Sequence, residues 1–422
     1  MSGAMTDALR HLTSEETDKR VSKRDAILQE GAALLNTQGA GGIKLEELAR
    51  TAGLSRNALY YYVKDRTDLV RQCYLRACDQ IEDDLCVVQS EHADPQAQIE
   101  AFISRSLNPS RQQNAILANI DVLEPPYRDE VQARYDAHVQ TLMDMIAAGQ
   151  NTGQFKTVDP QITANVLLGM LNWTGLWAVN WSDRDEGLGS KLESSIEAIK
   201  TALFEGVATS DCPPFKNAIA YETLTHIDFN AFNRSDARML RQTQLLETAS
   251  LLFNRRGLDG TRIDQIGDAI GASKSAVYRQ FPDKQALINS CYERALDLYE
   301  AIWRVAEDAA ETPRDVLLTT LHLNCQAQAS AKPPLIFQPG ASQSSKQFID
   351  RANLLGRRSL VHVRAAHKDG AIRFQSRELS DVTAGAFFWI QKWRETRPEL
   401  SSIQIADEIT GIIMMGIGGA DE

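Results

Sequence analysis

The stretch Gly53-Leu54-Ser55-Arg56-Asn57-Ala58-Leu59-Tyr60 returns 218 residues later as Gly271-Ala272-Ser273-Lys274-Ser275-Ala276-Val277-Tyr278. Outward from it the register holds without a gap from Leu28 to Ala77. Fifteen of these 50 positions carry the identical residue in the second copy: Leu28, Leu34, Asn36, Gly39, Gly42, Gly53, Ser55, Ala58, Tyr60, Asp65, Leu69, Cys73, Tyr74, Arg76 and Ala77. Ordinary residue frequencies would give only about three such matches. The chain is a tandem duplication, and so long a period means two whole domains rather than a solenoid.

Each copy spells a helix-turn-helix. Ile27, Gly31, Leu34 and Leu35 fall on one face of a first helix, as do Leu245, Ala249, Leu252 and Phe253. Gly39 and Gly257 stand where that helix should end, because glycine takes a left-handed conformation at least cost. A short second helix carries Leu45, Leu48 and Ala49, matched by Ile263, Ile266 and Gly267. Gly53 and Gly271 supply the tight turn, and Ser55 and Ser273 suit the N-cap of a third helix. That helix, about residues 56–62 and 274–280, buries Ala58, Leu59 and Val63, or Ala276, Val277 and Phe281. Its other face shows Arg56, Asn57, Tyr61 and Tyr62, or Lys274, Ser275, Arg279 and Gln280, donors and amphipathic rings that suit phosphates and base edges.

The net charge of −11 looks wrong for a DNA-binding chain until it is divided by region. Residues 19–76 carry +5, residues 234–294 carry +3, and the rest carries −19. Positive charge is gathered in the two repeated segments, where phosphate neutralisation needs it. At 422 residues, with 43% hydrophobic and 24% charged residues, the chain suits several ordinary globular domains. The amino terminus lacks the apolar core of a signal peptide. The longest apolar candidate, Ile409 to Ile417, is too short to span a bilayer. Six cysteines form no CxxC pair and no zinc spacing, so a reducing cytoplasm is expected, with no membrane contact and no metal. No nucleophile elbow, phosphate-binding glycine loop or HExxH is present, so neither catalysis nor a cofactor is expected.

These motifs resemble the tetracycline-repressor (TetR) family. Tyr60-Tyr61-Tyr62-Val63-Lys64-Asp65-Arg66 is similar to the end of that family's recognition helix, and Tyr278-Arg279-Gln280-Phe281-Pro282-Asp283-Lys284 to its commoner version. The resemblance implies that Ser55, Arg56, Asn57, Tyr60, Tyr61, Tyr62 and Arg66 face DNA in copy one. In copy two it implies Ser273, Lys274, Ser275, Tyr278, Arg279, Gln280 and Lys284. The family usually opens its second helix with a hydroxyl pair that caps it and touches phosphate. Copy two keeps Thr261 followed by Arg262, whereas copy one has Ile43 and Lys44, so its phosphate grip is expected to rest on Lys44.

The carboxy-terminal halves repeat too. Gly153-Gln154-Phe155 matches Gly370-Ala371-Ile372 at an offset of 217, and Gly169, Trp173 and Trp177 match Gly385, Trp389 and Trp393 at 216. The resemblance implies that residues 160–181 with 190–207, and 380–395 with 402–418, form a four-helix dimer interface. The expected organisation is all-α, two fused TetR-like subunits. It comprises a DNA-binding domain (20–78), a ligand-binding and dimerisation domain (79–208), a linker (209–236) containing Pro213-Pro214, and the second pair (237–297 and 298–422).

Trp173, Trp177 and Trp181 recur every four residues and line one helical face, with Tyr127, Tyr135, Met143, Met145 and Met170 expected near it. A ligand pocket would look like this, with Trp389, Trp393, Phe387 and Phe388 as counterparts in copy two. A plain core or a helix-packing interface would look the same. The reading is a sequence-specific regulator on double-stranded DNA, a repressor released by a small apolar effector. Its two copies are expected to pair within one chain, rather than each with its own kind from a second chain. The competing reading is a ligand-sensing or scaffold protein that has lost DNA binding.

Overall fold

The structure, a computed structural model, describes residues 23–111, 114–180, 188–209, 215, 217, 219–225, 234–338, 346–373 and 377–419. Copy one opens with α1 (residues 23–42), α2 (Leu45–Thr51) and α3 (Arg56–Leu59), followed by α4 (Arg66–Glu91), α5 (Pro95–Ser106), α6 (Tyr127–Asn151), α7 (Pro160–Asn180) and α8 (Leu188–Phe204). A short piece, α9 (Glu222–Thr225), lies in the connecting segment. Copy two begins with α10 (Arg234–Gly260), α11 (Ile263–Ala269), α12 (Lys274–Tyr278), α13 (Lys284–Ala309) and α14 (Pro313–Ala329). It ends with α15 (Lys346–Lys368), α16 (Arg377–Phe388), α17 (Ile390–Trp393) and α18 (Ser402–Met415).

Equivalent caps start equivalent helices. Asp65 accepts from Asp68 N at 2.9 Å to open α4, and Asp283 accepts from Ala286 N at 2.7 Å to open α13. Pro95 and Pro313 take the first positions of α5 and α14, where the missing N–H costs nothing. Gly39 (φ 71°) and Gly257 (φ 75°) break the first helix of each copy at the same place. The divisions expected after residues 78 and 297 fall inside α4 and α13. Each reading head is therefore joined to its helical body by a continuous helix.

The heads are also pinned to their bodies by a repeated clasp. Asn36 donates to Asn114 O (2.9 Å) and accepts from Ile116 N (2.9 Å); Asn254 donates to Pro334 O (2.8 Å) and accepts from Ile336 N (2.9 Å). Arg134 on α6 binds Asp79 and Glu82 of α4, and Arg351 on α15 binds Asp297 and Glu300 of α13. These matched ion pairs fix the register of α15 on α6 at +217.

The two copies pack on each other within the chain. Helices α7 and α8 meet α16 and α18 in a four-helix core that buries Leu167, Met170, Ile199, Leu203, Ile405, Ile409 and Ile413. The exchange is reciprocal. Val207 N donates to Ile413 O and Ile417 N to Leu203 O; Ala208 N donates to Met414 O and Gly418 N to Phe204 O. Isolated bridges pair Phe155 with Gly418 and Ala208 with Ile372, again the same contact made twice. Residue i meets j while the equivalent of j meets the equivalent of i, which is the mark of a twofold interface. Around the linker, buried Tyr221 donates its backbone N–H to Gln326 Oε1 and packs on Ile302 and Leu323 of copy two.

Candidate nucleic-acid interface and effector chamber

The two reading heads are unlike. Ser55 caps α3 by accepting from Ala58 N, and Ser273 caps α12 by accepting from Ala276 N, both at 3.2 Å. On head one Lys44, Arg56, Asn57, Tyr60 and Tyr61 are exposed, while Tyr62 is half-buried against the core. Arg56 lies over the Tyr60 ring and 3.3 Å from the Glu46 carboxylate. On head two Arg262, Lys274, Ser275, Tyr278 and Arg279 are exposed and Gln280 is half-buried.

Three residues assigned to DNA by resemblance are placed differently. Thr261 is fully buried, and its hydroxyl donates to Gly257 O (2.9 Å) and Leu252 O (3.2 Å), which ties off the kinked end of α10. Its backbone-facing bonds leave nothing for phosphate, so Arg262 is left to open α11 at the surface. Arg66 folds back and donates to Gly41 O at 3.0 Å. Lys284 is half-buried, and that burial lowers its pKa against the pull of Asp259. Both belong to a junction between the heads, where Gly41 N donates to Asp259 Oδ2 at 2.6 Å. Gly41 and Asp259 are equivalent positions of the repeat, so the heads meet on the pseudo-twofold axis.

Copy two holds a cavity of about 280 Å³. Its walls come from α13, α14, α15 and α16, with Tyr299, Trp303, Phe337, Phe387 and Phe388 giving an aromatic lining. Copy one closes it with Trp173, Val207 and Ala208. Trp173 packs on Phe388 with ring centroids 4.3 Å apart. Two ion pairs, Arg314–Asp315 (2.6 Å) and Arg377–Asp381 (3.3 Å), lie at the wall. Burial pushes the Asp381 carboxyl up to about 7, against the pull of Arg377.

Of the aromatic and methionine residues expected to hold a ligand, Trp173, Phe387 and Phe388 are the described ones that line this cavity. Met170, Trp389 and Trp393 are buried in the interface between the copies, and Trp389 Nε1 donates to Tyr135 OH at 3.0 Å. Tyr127 is exposed and stacks under Arg71 at the surface. The side chain of Trp177 and the whole of Trp181 lie outside the described residues. The lining residues of α13 to α15 escaped the sequence reading, although Tyr292, Tyr299 and Trp303 of α13 stand at i, i+7 and i+11 on one helical face.

From the cavity wall a short path leads to head two. Helix α16 breaks at Trp389, just past Phe388, and α17 then grips the end of α10. Arg255 donates to Gln391 Oε1 (3.1 Å) and pairs with Glu395, while Lys392 Nζ reaches Arg255 O (3.3 Å) and copy one's Asn119 (3.4 Å). Burial pulls Lys392 down to about 8. Among the described residues copy one has no such grip. There α7 runs unbroken through Gly175 and Leu176, and Thr37, the counterpart of Arg255, bonds back to Ala33 O and Leu34 O of its own helix.

Residues 27–73 and 245–291 each match the family of "Bacterial regulatory proteins, tetR family". Residues 93–178 match "Tetracyclin repressor-like, C-terminal domain". Both reading heads and the first helical body therefore match the TetR family. Within that family it is similar to the HTH-type transcriptional repressor KstR2 of Mycolicibacterium smegmatis, 23% identical over 190 residues covering 42% of this chain and 90% of that one. That match spans one copy's length, as a fused pair of TetR subunits requires. KstR2 of Rhodococcus jostii is 32% identical over 95 residues, 22% of this chain and 46% of that one. Among solved structures, AibR in complex with isovaleryl coenzyme A and operator DNA is matched at 22% identity and a TM-score of 0.36, over 42% of this chain and 96% of that one. The TetR family regulator PfmR from Thermus thermophilus is matched at 24% identity and a TM-score of 0.32, over 41% of this chain and 96% of that one. Among the described residues no helix is long and apolar enough to cross a membrane.

Proposed function

We propose that this TetR-family chain is a cytoplasmic repressor that performs alone what its relatives' subunits perform in pairs. It reads two unlike half-sites of a double-stranded DNA operator and is released by a small, largely apolar effector. The observation that carries this reading is the reciprocal exchange between Val207, Ile413, Ile417 and Leu203. It covers within one chain the surface that a dimer partner would otherwise cover. A tethered partner meets that surface at an effective concentration near millimolar, so pairing within the chain outcompetes a second molecule.

Head one reads with Arg56, Asn57, Tyr60 and Tyr61 and grips phosphate with Lys44. Head two reads with Lys274, Ser275, Tyr278, Arg279 and Gln280 and grips with Arg262. Ser55 and Ser273 act by fixing the start of each reading helix. The heads must sit about 34–36 Å apart to enter successive major grooves. An effector that moves Phe388 shifts the break at Trp389, and the grip of α17 on Arg255 carries that shift to α10. A hundredfold loss of DNA affinity needs only about 2.7 kcal/mol of differential binding. The role calls for no catalytic step.

A gel shift on the DNA flanking the chain's own gene tests the reading. Retarded DNA that is freed by a cavity-binding molecule is the expected result. A chain that binds the molecule and leaves every duplex unshifted is a ligand sensor without DNA binding.

A further inference from the structure

The two ligand-binding bodies share a fold and differ in filling. At the +217 register fixed by Arg134 and Arg351, Ala352, Gly356 and Ser359 stand where copy one has Tyr135, Val139 and Leu142. At +216, fixed by Gly169 and Gly385, Thr383 stands for Leu167; at +218, Thr320 stands for Phe102. All five copy-two residues line the cavity. A Cβ built on Gly356 meets nothing within 4 Å, so the space in front of it is open. In copy one Phe102, Leu142 and Leu167 are at most 1% exposed, and Tyr135 is anchored by Trp389. Each of these five exchanges replaces a larger side chain with a smaller one. Close-packed interiors do not keep such space open for nothing, since an unfilled cavity costs stability in proportion to its volume.

The chamber also carries polar atoms that the protein leaves unanswered. Thr320 Oγ1 and Asn324 Oδ1, one helical turn apart on α14, are buried with no hydrogen-bond partner among the described residues. Leaving such groups unpaired is expensive unless a ligand answers them. Both arginines at the wall already face carboxylates, Arg314 beside Asp315 and Arg377 beside Asp381, which disfavours an anionic ligand.

We propose that the chain takes one effector, in copy two alone, and that this effector is an uncharged, largely apolar molecule whose hydroxyl or amide N–H donates to Asn324 Oδ1 and bonds Thr320 Oγ1. Among the described residues copy one is filled at the equivalent positions, and it supplies Trp173, Val207 and Ala208 as one wall. The inference rests on the reading of the chain as an effector-released regulator, and it makes the response of the two heads unequal.

Calorimetry and native mass spectrometry on the full chain test it with three probes of one shape: 4-butylphenol, butylbenzene and 4-butylbenzoate. The expected result is one 4-butylphenol per chain, bound at least about tenfold more tightly than either of the others. The Thr320→Val, Asn324→Leu variant should bring the phenol and the hydrocarbon to equal affinity. Ser359→Leu, which installs copy one's residue, should abolish binding and raise Tm. Two phenols per chain, no phenol bound, or preference for the benzoate would each overturn the inference on the wild-type chain, whatever the variants do. A gel shift run beside it keeps the questions apart. A chain that takes one phenol and binds no DNA retains the chamber and loses the regulator reading; a chain that binds DNA and takes two phenols loses the chamber alone.

Discussion

Gly169 of α7 and Gly385 of α16 face each other across the pseudo-twofold axis. A Cβ on Gly169 would lie 2.5 Å from Gly385 O, and a Cβ on Gly385 would lie 2.5 Å from Gly169 O. The two are equivalent positions of the repeat, so one close backbone crossing is made by both halves at once. Gly169→Ala should therefore force the helices apart and cost about 1–3 kcal/mol, and Gly385→Ala should cost the same. Thermal melts of both variants check this; an unchanged Tm in either would mean that the helices do not cross there.

The Asn36 and Asn254 clasps are predicted to be separately necessary. Each side chain answers one carbonyl and one N–H of its own body, so alanine leaves both unpaired. Asn36→Ala and Asn254→Ala should each cost about 2–3 kcal/mol. Hydrogen exchange should quicken around residue 116 in the first variant and residue 336 in the second. Quickening in both regions for one variant would show that the bodies do not loosen independently.

Reading residues and buried look-alikes separate by salt dependence. Lys44→Ala should lower the salt slope of DNA binding by about one unit, and Arg56→Ala should cost roughly 1–3 kcal/mol and relax specificity. Thr261→Val should leave the salt slope unchanged and lower stability instead, because its hydroxyl serves Gly257 O and Leu252 O. A reduced slope for Thr261→Val would return that residue to the phosphate face.

Asp381 makes stability depend on pH. Its folded pKa is raised, first by burial and then by the nearby Glu378, and lowered by Arg377 and Lys191, to about 7 from 3.8. A raised carboxyl pKa favours the folded state while the group is protonated. That contribution is full below pH 4 and is lost as pH rises to 7. Asp381→Asn should remove the fall, so that the variant gains on the wild type between pH 4 and 7. Denaturant melts across that range read the difference. Parallel curves would place Asp381 in solvent.

Much of the fold was legible because duplication tests itself. Gly39, Gly53, Ser55 and Asp65 recur with their counterparts, and turns and caps use the same residues wherever they occur. The effector chamber was legible from its aromatics only in part, through Trp173, Phe387 and Phe388. Periodic Trp and Met residues fill an interface as readily as they line a pocket, and Met170, Trp389 and Trp393 do the former. The usable signal was the exchange along one helix, Leu142 against Ser359 and Val139 against Gly356, which clears side chains from α15 and not from α6. Thr261 was misleading because a hydroxyl before a helix serves a phosphate or the preceding turn equally well. The path from Phe388 to Arg255 depends on a helix break that no local residue in α16 announces.

The central claim is that one chain forms one pseudo-twofold reader. Selection of bound sequences from a random duplex pool, with the mass of the selected complex measured in solution, tests it most directly. The account predicts one chain on an asymmetric site whose two dissimilar half-sites lie about one helical turn apart. A perfect palindrome bound by two chains would contradict it.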